Sequence, residues 1–336
     1  MSTSDLQVQI FQHIKSKLPS HLSMVDEIAQ VLDVSTDSAY RRIRGEKPLS
    51  LEEVYKLCVR YSLSLDNLLN LKSDAFMFKG NFVNPHAFKY DEYLSNIMQQ
   101  VKYMNGFKQK SMTYLAKDIP IFHHYHFREI AAFKYYFWMK NILQHPDFAT
   151  KKFKLDDYPD EYYELSKKAL SYYNQLDSEE MWNIESINST LRQIDYYYDS
   201  NIFSNSDEIY VLYDAAEKLI SHLEYQATEG YKFSVDDLKK PLGRYQMYFN
   251  EILILEGNLL VTLDGTKMAF LIHNVLNFLQ TNDVRFCDNM YEHIQNLKRK
   301  STLISTVSER ERSRFFKYLR QRIEHRKQNI KMKASL

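Results

Sequence analysis

The sequence predicts a mainly α-helical protein: a small N-terminal domain of five helices, a larger helical domain behind it, and a small β-meander near residues 250–272. Three observations carry this. Only seven glycines and seven prolines fall among 336 residues, which favours long helices over the many tight turns of a loop-rich α/β fold. Apolar residues recur at helical spacing along most of the chain. The run EILILEGNLLVTLDGTKMAFLI, residues 251–272, is the one β signal; it reads as three strands, with turns at Gly257-Asn258 and Asp264-Gly265.

Within the N-terminal domain, an opening helix from about Asp5 to Leu18 supplies Leu6, Ile10, Phe11 and Ile14. Ser23 can cap a second helix, with Asp26 at the capping-box position and Val25, Ile28, Ala29 and Leu32 on one stripe. Asp33-Val34-Ser35 is a short turn whose Val34 plugs the core. A third helix starts at Ser35 or Thr36 with Asp37 near its positive end. Its inward pair is Ala39 and Ile43, which leaves Thr36, Asp37, Ser38, Arg41 and Arg42 outward. Gly45 fits a C-terminal stop, and Pro48 comes soon after. Ser50 and Glu53 form a capping box ahead of Leu51, Val54, Leu57 and Cys58. A last short helix, Ser64 to Leu71, closes the core with Leu65, Leu68 and Leu69.

A short helix, a tight turn and a small-residue helix ending in arginines make a helix-turn-helix. In that motif the N-terminal residues of the second helix meet base edges in the major groove of double-stranded DNA. The DNA-binding set is therefore Ser35, Thr36, Asp37, Ser38, Arg41, Arg42, Arg44 and Lys47. Arg41 or Arg42 can pair with guanine, and the hydroxyls can serve bases or phosphates. Arg44 and Lys47, flanking Gly45, suit phosphate contacts that set register. Five short helices in this order resemble the phage-repressor-like (XRE-type) DNA-binding domains, over roughly residues 5–71. Members commonly carry an apolar residue three positions after the one matched by Ala39; here Arg42 stands there.

The charge distribution sharpens this. Residues 1–71 hold 8 Lys+Arg against 9 Asp+Glu, residues 72–297 hold 23 against 31, and residues 298–336 hold 13 against 3. The reader is not a generally basic domain, and its positive charge is focused on Arg41, Arg42, Arg44 and Lys47. Focusing of this kind suits specific contacts better than bulk phosphate attraction, and an isolated copy binds weakly, so a homodimer is expected.

Residues 72–90 read as a linker, with Phe76, Phe78 and Phe82 around Gly80 docking onto the next domain. A helical effector or interaction domain then spans 91–248, with helices at about 86–104, 127–144, 159–176, 178–200, 206–229 and 234–248. Ser178 and Ser206 begin two of these, with Glu179, Glu180, Asp207 and Glu208 in their first turns. No 34-residue self-similarity marks a repeat. His123, His124 and His126 invite a metal reading, since residues two apart share one face of a strand; no acid or cysteine has ligand spacing, and a packed, hydrogen-bonded aromatic edge is the expectation. The tyrosine pairs Tyr135-Tyr136, Tyr162-Tyr163 and Tyr172-Tyr173 read either as core or as a ligand pocket.

Residues 249–336 read as a small α+β module and a candidate dimerisation region. Helices return from about Val275 to Ile304. A final helix after Ser308 carries Phe315, Leu319 and Ile323 on one stripe and basic residues elsewhere, which either pair with the acidic middle of the chain or lie along DNA. The stretches IPIFHHYHFREIAAFKYYFWMK, ESINSTLRQIDYYYDS and RKSTLISTVSERERSRFF are similar to helical regions behind such readers in bacterial regulators.

No nucleotide-binding glycine pattern, zinc-protease or nucleophile-elbow motif occurs, so neither an enzyme nor a cofactor or metal is expected. Cys58 and Cys287 read as buried reduced thiols. The opening MSTSDLQVQI lacks a basic start with an apolar core, and no run of 18 apolar residues exists, so a cytoplasmic protein without membrane spans is expected. The sequence supports two functions: a dimeric, sequence-specific transcription regulator with an unidentified small-molecule or protein effector, or a scaffold whose five-helix unit docks another protein.

Overall fold

The structure, a computed structural model, describes residues 3–18, 22–61, 63, 75–80, 83–253 and 255–334. The chain divides into two compact units, Met1–Phe76 and Met77–Leu336.

In the first unit, helices α1 (Thr3–Lys17), α2 (Met24–Leu32), α3 (Thr36–Ile43) and α4 (Leu51–Tyr61) enclose a small core of Ile10, Phe11, Ile14, Ile28, Ala29, Leu32, Ala39 and Leu57. Ser23 caps α2 by accepting from Asp26 N–H at 3.5 Å. Asp33 ends that helix in the left-handed conformation (φ 54°), and Val34 packs against the core as expected. The Ser50–Glu53 capping box closes in both directions, at 2.9 and 3.2 Å. The helix expected at Ser64–Leu71 lies outside the described residues.

The second unit overturns the mainly α expectation. It is an α/β fold built on a seven-stranded mixed sheet, in the order β6-β5-β4-β1-β2-β3-β7. The strands are β1 (Lys110–Leu115), β2 (Asp177–Trp182), β3 (Tyr245–Phe249), β4 (Leu259–Leu263), β5 (Thr266–Ile272), β6 (Phe278–Thr281) and β7 (Thr302–Leu303). β1, β2 and β3 run parallel, and the remaining pairs are antiparallel. Parallel neighbours need long crossovers, and the helices supply them. Helix α5 (Tyr90–Asn105) precedes the sheet. Between β1 and β2 lie α6 (Ile121–His124), α7 (Arg128–Phe137, continued by a π-turn to Ile142) and α8 (Asp160–Tyr173). Between β2 and β3 lie α9 (Asn188–Asp199) and α10 (Glu208–Glu229), and α11 (Val284–Arg299) and α12 (Glu309–Ala334) complete the unit.

Each departure from expectation has an identifiable cause. Ser178-Glu179-Glu180 has the composition of a helix first turn, yet it is central strand β2, and each acid finds a partner there: Lys298 pairs with Glu179, and four side chains hold Glu180. The helix expected at 234–248 is a loop leading into β3. Gly243 permits that path: a Cβ there would stand 2.2 Å from the Leu176 carbonyl oxygen. Of the strands expected in 251–272, β4 and β5 form around the Asp264-Gly265 turn, both residues at positive φ, as a two-residue hairpin requires. Glu251–Leu253 is irregular. The expected boundary at 248/249 falls within the one sheet, since β3 pairs with β2 and β4 with β1.

Strand alternation assigns the two faces of the sheet. Met112 and Tyr114 of β1, Trp182 of β2, Tyr245 and Met247 of β3, and Leu259 and Val261 of β4 join the large core. Leu115, Met181, Leu260 and Ala269 turn to the opposite face, against Cys287, Met290, Ile294 and Leu297 of α11.

The final helix carries Phe315, Leu319 and Ile323 buried, as the sequence predicts. Its cations meet the acidic middle of the chain: Lys327 bonds Asp214 and Glu217 of α10 at 2.7 and 2.8 Å, Arg320 pairs with Glu224, Arg326 with Asp195, and Lys333 with Asp199 at 2.6 Å. Met77–Gly80, expected to be a linker, belongs to the second unit. Lys79 exchanges both backbone hydrogen bonds with Gln280 at 2.7 Å, and Phe78 packs edge-on against Phe286.

Candidate nucleic-acid interface

Helix α3 begins on Ser35, whose Oγ accepts from Ser38 N–H at 3.3 Å. It ends in a Schellman motif. Gly45 takes φ 77°, its N–H bonds the Arg42 carbonyl, and Glu46 N–H bonds the Arg41 carbonyl, both at 2.9 Å. Those bonds satisfy carbonyls that would otherwise be orphaned at the helix end. Gln7 of α1 holds the same corner from beneath. Its amide donates to the carbonyls of Arg42 and Lys47, both at 2.7 Å, and accepts from Leu49 N–H at 2.9 Å. Nothing in the apolar periodicity of α1 marks Gln7, because its role lies in three backbone groups more than 30 residues away.

The sequence-assigned DNA set divides into two groups here. Thr36 and Asp37 on the first turn, and Arg41, Arg44 and Lys47 beyond it, are exposed. Arg41 and Arg44 keep 54% and 59% of their side-chain surface open, and both face Glu46, at 3.9 and 3.5 Å. The expectation that Arg42 points outward is corrected: its side chain is 6% exposed, and its guanidinium bonds Glu53 at 2.6 Å. The second guanidinium nitrogen bonds Ser38 Oγ at 2.5 Å and the Ser38 carbonyl at 3.1 Å. Arg42 therefore fills a buried position between α3 and α4, with Glu53 of α4 neutralising it. Burial would raise the Glu53 pKa, but the hydrogen bonds from Arg42 and Ser50 lower it on balance. Ser35 and Ser38 are engaged as cap and as Arg42 acceptor.

Tyr40, which sequence reasoning passed over, is exposed, and the Arg44 guanidinium sits 5.2 Å from its ring centroid. Its spacing is the available signal: Thr36, Tyr40 and Arg44 recur every four residues along one face. Arg44 is thus held in place by a cation–π contact.

The histidine cluster folds differently from the strand that the metal reading supposed. His123 and His124 end the short helix α6, and His123, His124 and His126 are all buried. His123 Nε2 lies 2.8 and 2.9 Å from the two carboxylate oxygens of Glu180. Tyr173 Oη (2.5 Å), Trp182 Nε1 (2.8 Å) and Tyr245 Oη (2.8 Å) donate to the same carboxylate. Burial pushes the Glu180 pKa up; the His123 charge and these hydrogen bonds override it and hold the carboxyl down at about 2. Lys232 donates to the Tyr173 carbonyl at 2.8 Å over that residue's ring, and burial lowers its pKa to about 7. Burial takes His222 down to about 4, and holds His124 and His126 well below the usual imidazole range. Among the described residues, no three His, Cys, Asp or Glu side chains gather in a group able to hold a metal ion.

Among the described residues, no helix is long and apolar enough to cross a membrane. No curated protein and no solved structure matches the chain. Residues 17–84, about a fifth of the chain, match the model of the BetR domain. BetR is a helix-turn-helix DNA-binding family, and the match suggests a DNA-binding regulatory role for the part of the protein that carries α2, α3 and the exposed arginines.

Proposed function

We propose that the protein is a sequence-specific transcription regulator. It acts as a homodimer in the cytoplasm, has no catalytic activity of its own, and uses its reader in the manner of the phage-repressor-like domains. The observation that carries this reading is the exposed row Thr36, Asp37, Tyr40, Arg41, Arg44 and Lys47 on and just beyond α3. Thr36, Asp37 and Arg41 face base edges, and Arg44 and Lys47 hold phosphates. Two copies would place two such helices in successive major grooves, about 34 Å apart, and the larger unit would answer an effector.

Selection from random duplex DNA by the full-length protein, at low and near-physiological salt, tests this. Enrichment of a two-fold-symmetric motif at both salts is the expected result. Binding that is absent, or blind to sequence and abolished by salt, would overturn it.

One observation favours a second reading, a protein-docking scaffold. Leu51, Tyr55 and Val59 form an exposed apolar stripe along α4, and contiguous exposed apolar surface marks interaction sites. A protein whose selection yields no DNA motif, yet which loses a partner on Tyr55→Asp, would belong to this class.

A further inference from the structure

We infer that the larger unit binds a small apolar monocarboxylate, of the size of a medium-chain fatty acid, in a cavity between α5 and the β1–β4–β5–β6 part of the sheet. The cavity measures about 280 Å³, at the small end of ligand sites, which are typically concave and mostly apolar with a few placed polar groups. Its walls are Met104 of α5, Met112 of β1, Phe122 of α6, Val261 of β4 and Phe270 of β5. Thioether and aromatic surfaces of this kind accept an alkyl chain without requiring one exact shape.

The polar groups fix the class of head group. Among the described residues, no aspartate or glutamate lines the cavity, and Lys79 is the one cation that does. Asn277 also lines it. The backbone of Asn277 is set by the turn after β5, where Asn274 Oδ1 accepts from Leu276 N–H at 3.0 Å and from Asn277 N–H at 2.9 Å. Its Nδ2 is buried and makes no hydrogen bond. A buried donor left unmade costs free energy that an acceptor would recover. A cation and an open amide donor beside an apolar pocket suit a carboxylate on an alkyl tail. A cationic ligand would meet no counter-charge among these lining residues, and the other side chains that offer hydrogen bonds there, among them Asn96, Gln100 and Gln280, are neutral.

The proposal deepens the effector-sensing part of the proposed function and rests on it. Its test nevertheless reads binding to this unit alone, so failure here leaves the DNA selection standing, and the reverse. Calorimetric titration of the full-length protein with sodium octanoate should show saturable binding at one site per chain, and octan-1-ol, which shares the tail but not the charge, should bind more weakly. Lys79→Gln, a change at an exposed residue, should weaken octanoate at least about tenfold and leave octan-1-ol unchanged. Ile97→Trp, which fills the cavity from α5, should abolish both while the circular dichroism spectrum stays native. Absence of saturable binding by octanoate or dodecanoate would overturn the proposal. So would octanoate binding that neither substitution changes. Equal weakening of acid and alcohol by Lys79→Gln would overturn the carboxylate assignment.

Discussion

Arg41 and Arg42 are adjacent, share a side-chain chemistry and have different tasks. Arg42 is an anchor between α3 and α4, its charge met by Glu53 and its donors by Ser38. Arg42→Met leaves Glu53 largely buried without its partner, a loss of about 3 kcal/mol, visible as a lower urea midpoint for the first unit. Arg41→Ala, at an exposed position, should change stability by no more than about 0.5 kcal/mol while costing roughly 1–3 kcal/mol of specific DNA affinity. A fluorescence-anisotropy titration beside the urea curve separates the two, and equal effects on both curves for both variants would contradict the division. The helical period by itself puts Arg42 on the outer face. What draws it inward is an acid eleven residues away that already serves as a capping box, and periodicity does not report such a double use.

Among the elements, helix ends were more legible than strands. The caps at Ser23, Ser50 and Gly45 are local events between residues a few positions apart, and each forms as its sequence predicts. β1, β2 and β3 were not legible. Parallel central strands are specified by partners far along the chain, and β2 buries Ser178 and Glu180 where an apolar residue would have announced it. The cavity of the larger unit was hidden for the same reason: its walls come from four strands and two helices that periodicity does not bring together. Helix α12 shows the converse. Its apolar stripe was plain, and its Arg320, Arg326, Lys327 and Lys333 are engaged with carboxylates of α9 and α10. The pairs at the surface are worth little individually, but they occupy those four charges. The double change Arg320→Ala with Lys327→Ala should therefore leave the salt dependence of DNA binding as it was. Lys47→Ala should reduce that slope by about one. A drop in slope from the α12 changes would place that helix on DNA.

The larger unit gathers buried titratable side chains around Glu180 and His222, and this sets how it responds to acid. His222 titrates near 4 in the fold against an ordinary value of 6.5, and His124 and His126 are also depressed. Between pH 6.5 and 4 the unfolded chain thus holds more protons than the native one, and stability falls as pH falls through that window. Glu180, at about 2 against 4.5, adds a second loss between pH 4.5 and 2, on the order of 3 kcal/mol. Lys232, at about 7, makes its change at higher pH and leaves this window alone. Urea midpoints measured from pH 7 to 3 should decline for the larger unit. Glu180→Gln should destabilise that unit at pH 7 by about 1–3 kcal/mol, because an amide leaves the buried donors of Tyr173, Trp182 and Tyr245 one acceptor oxygen where the carboxylate offers two, and it should flatten the profile below pH 4.5. A variant as stable as the natural chain at pH 7 would refute the view of Glu180 as the hub of that core.

The pairing of Lys79 with Gln280 has a consequence for crowding. A sheet whose outer strands offer free backbone groups is a template for another sheet, and natural proteins blunt such edges with short strands, lysines or covering segments. Here one edge ends in the two-residue β7, and the other, β6, is met by a segment carrying a lysine. Where copies of this protein stand close together, the larger unit can tolerate that proximity without its sheets zipping edge to edge into aggregates.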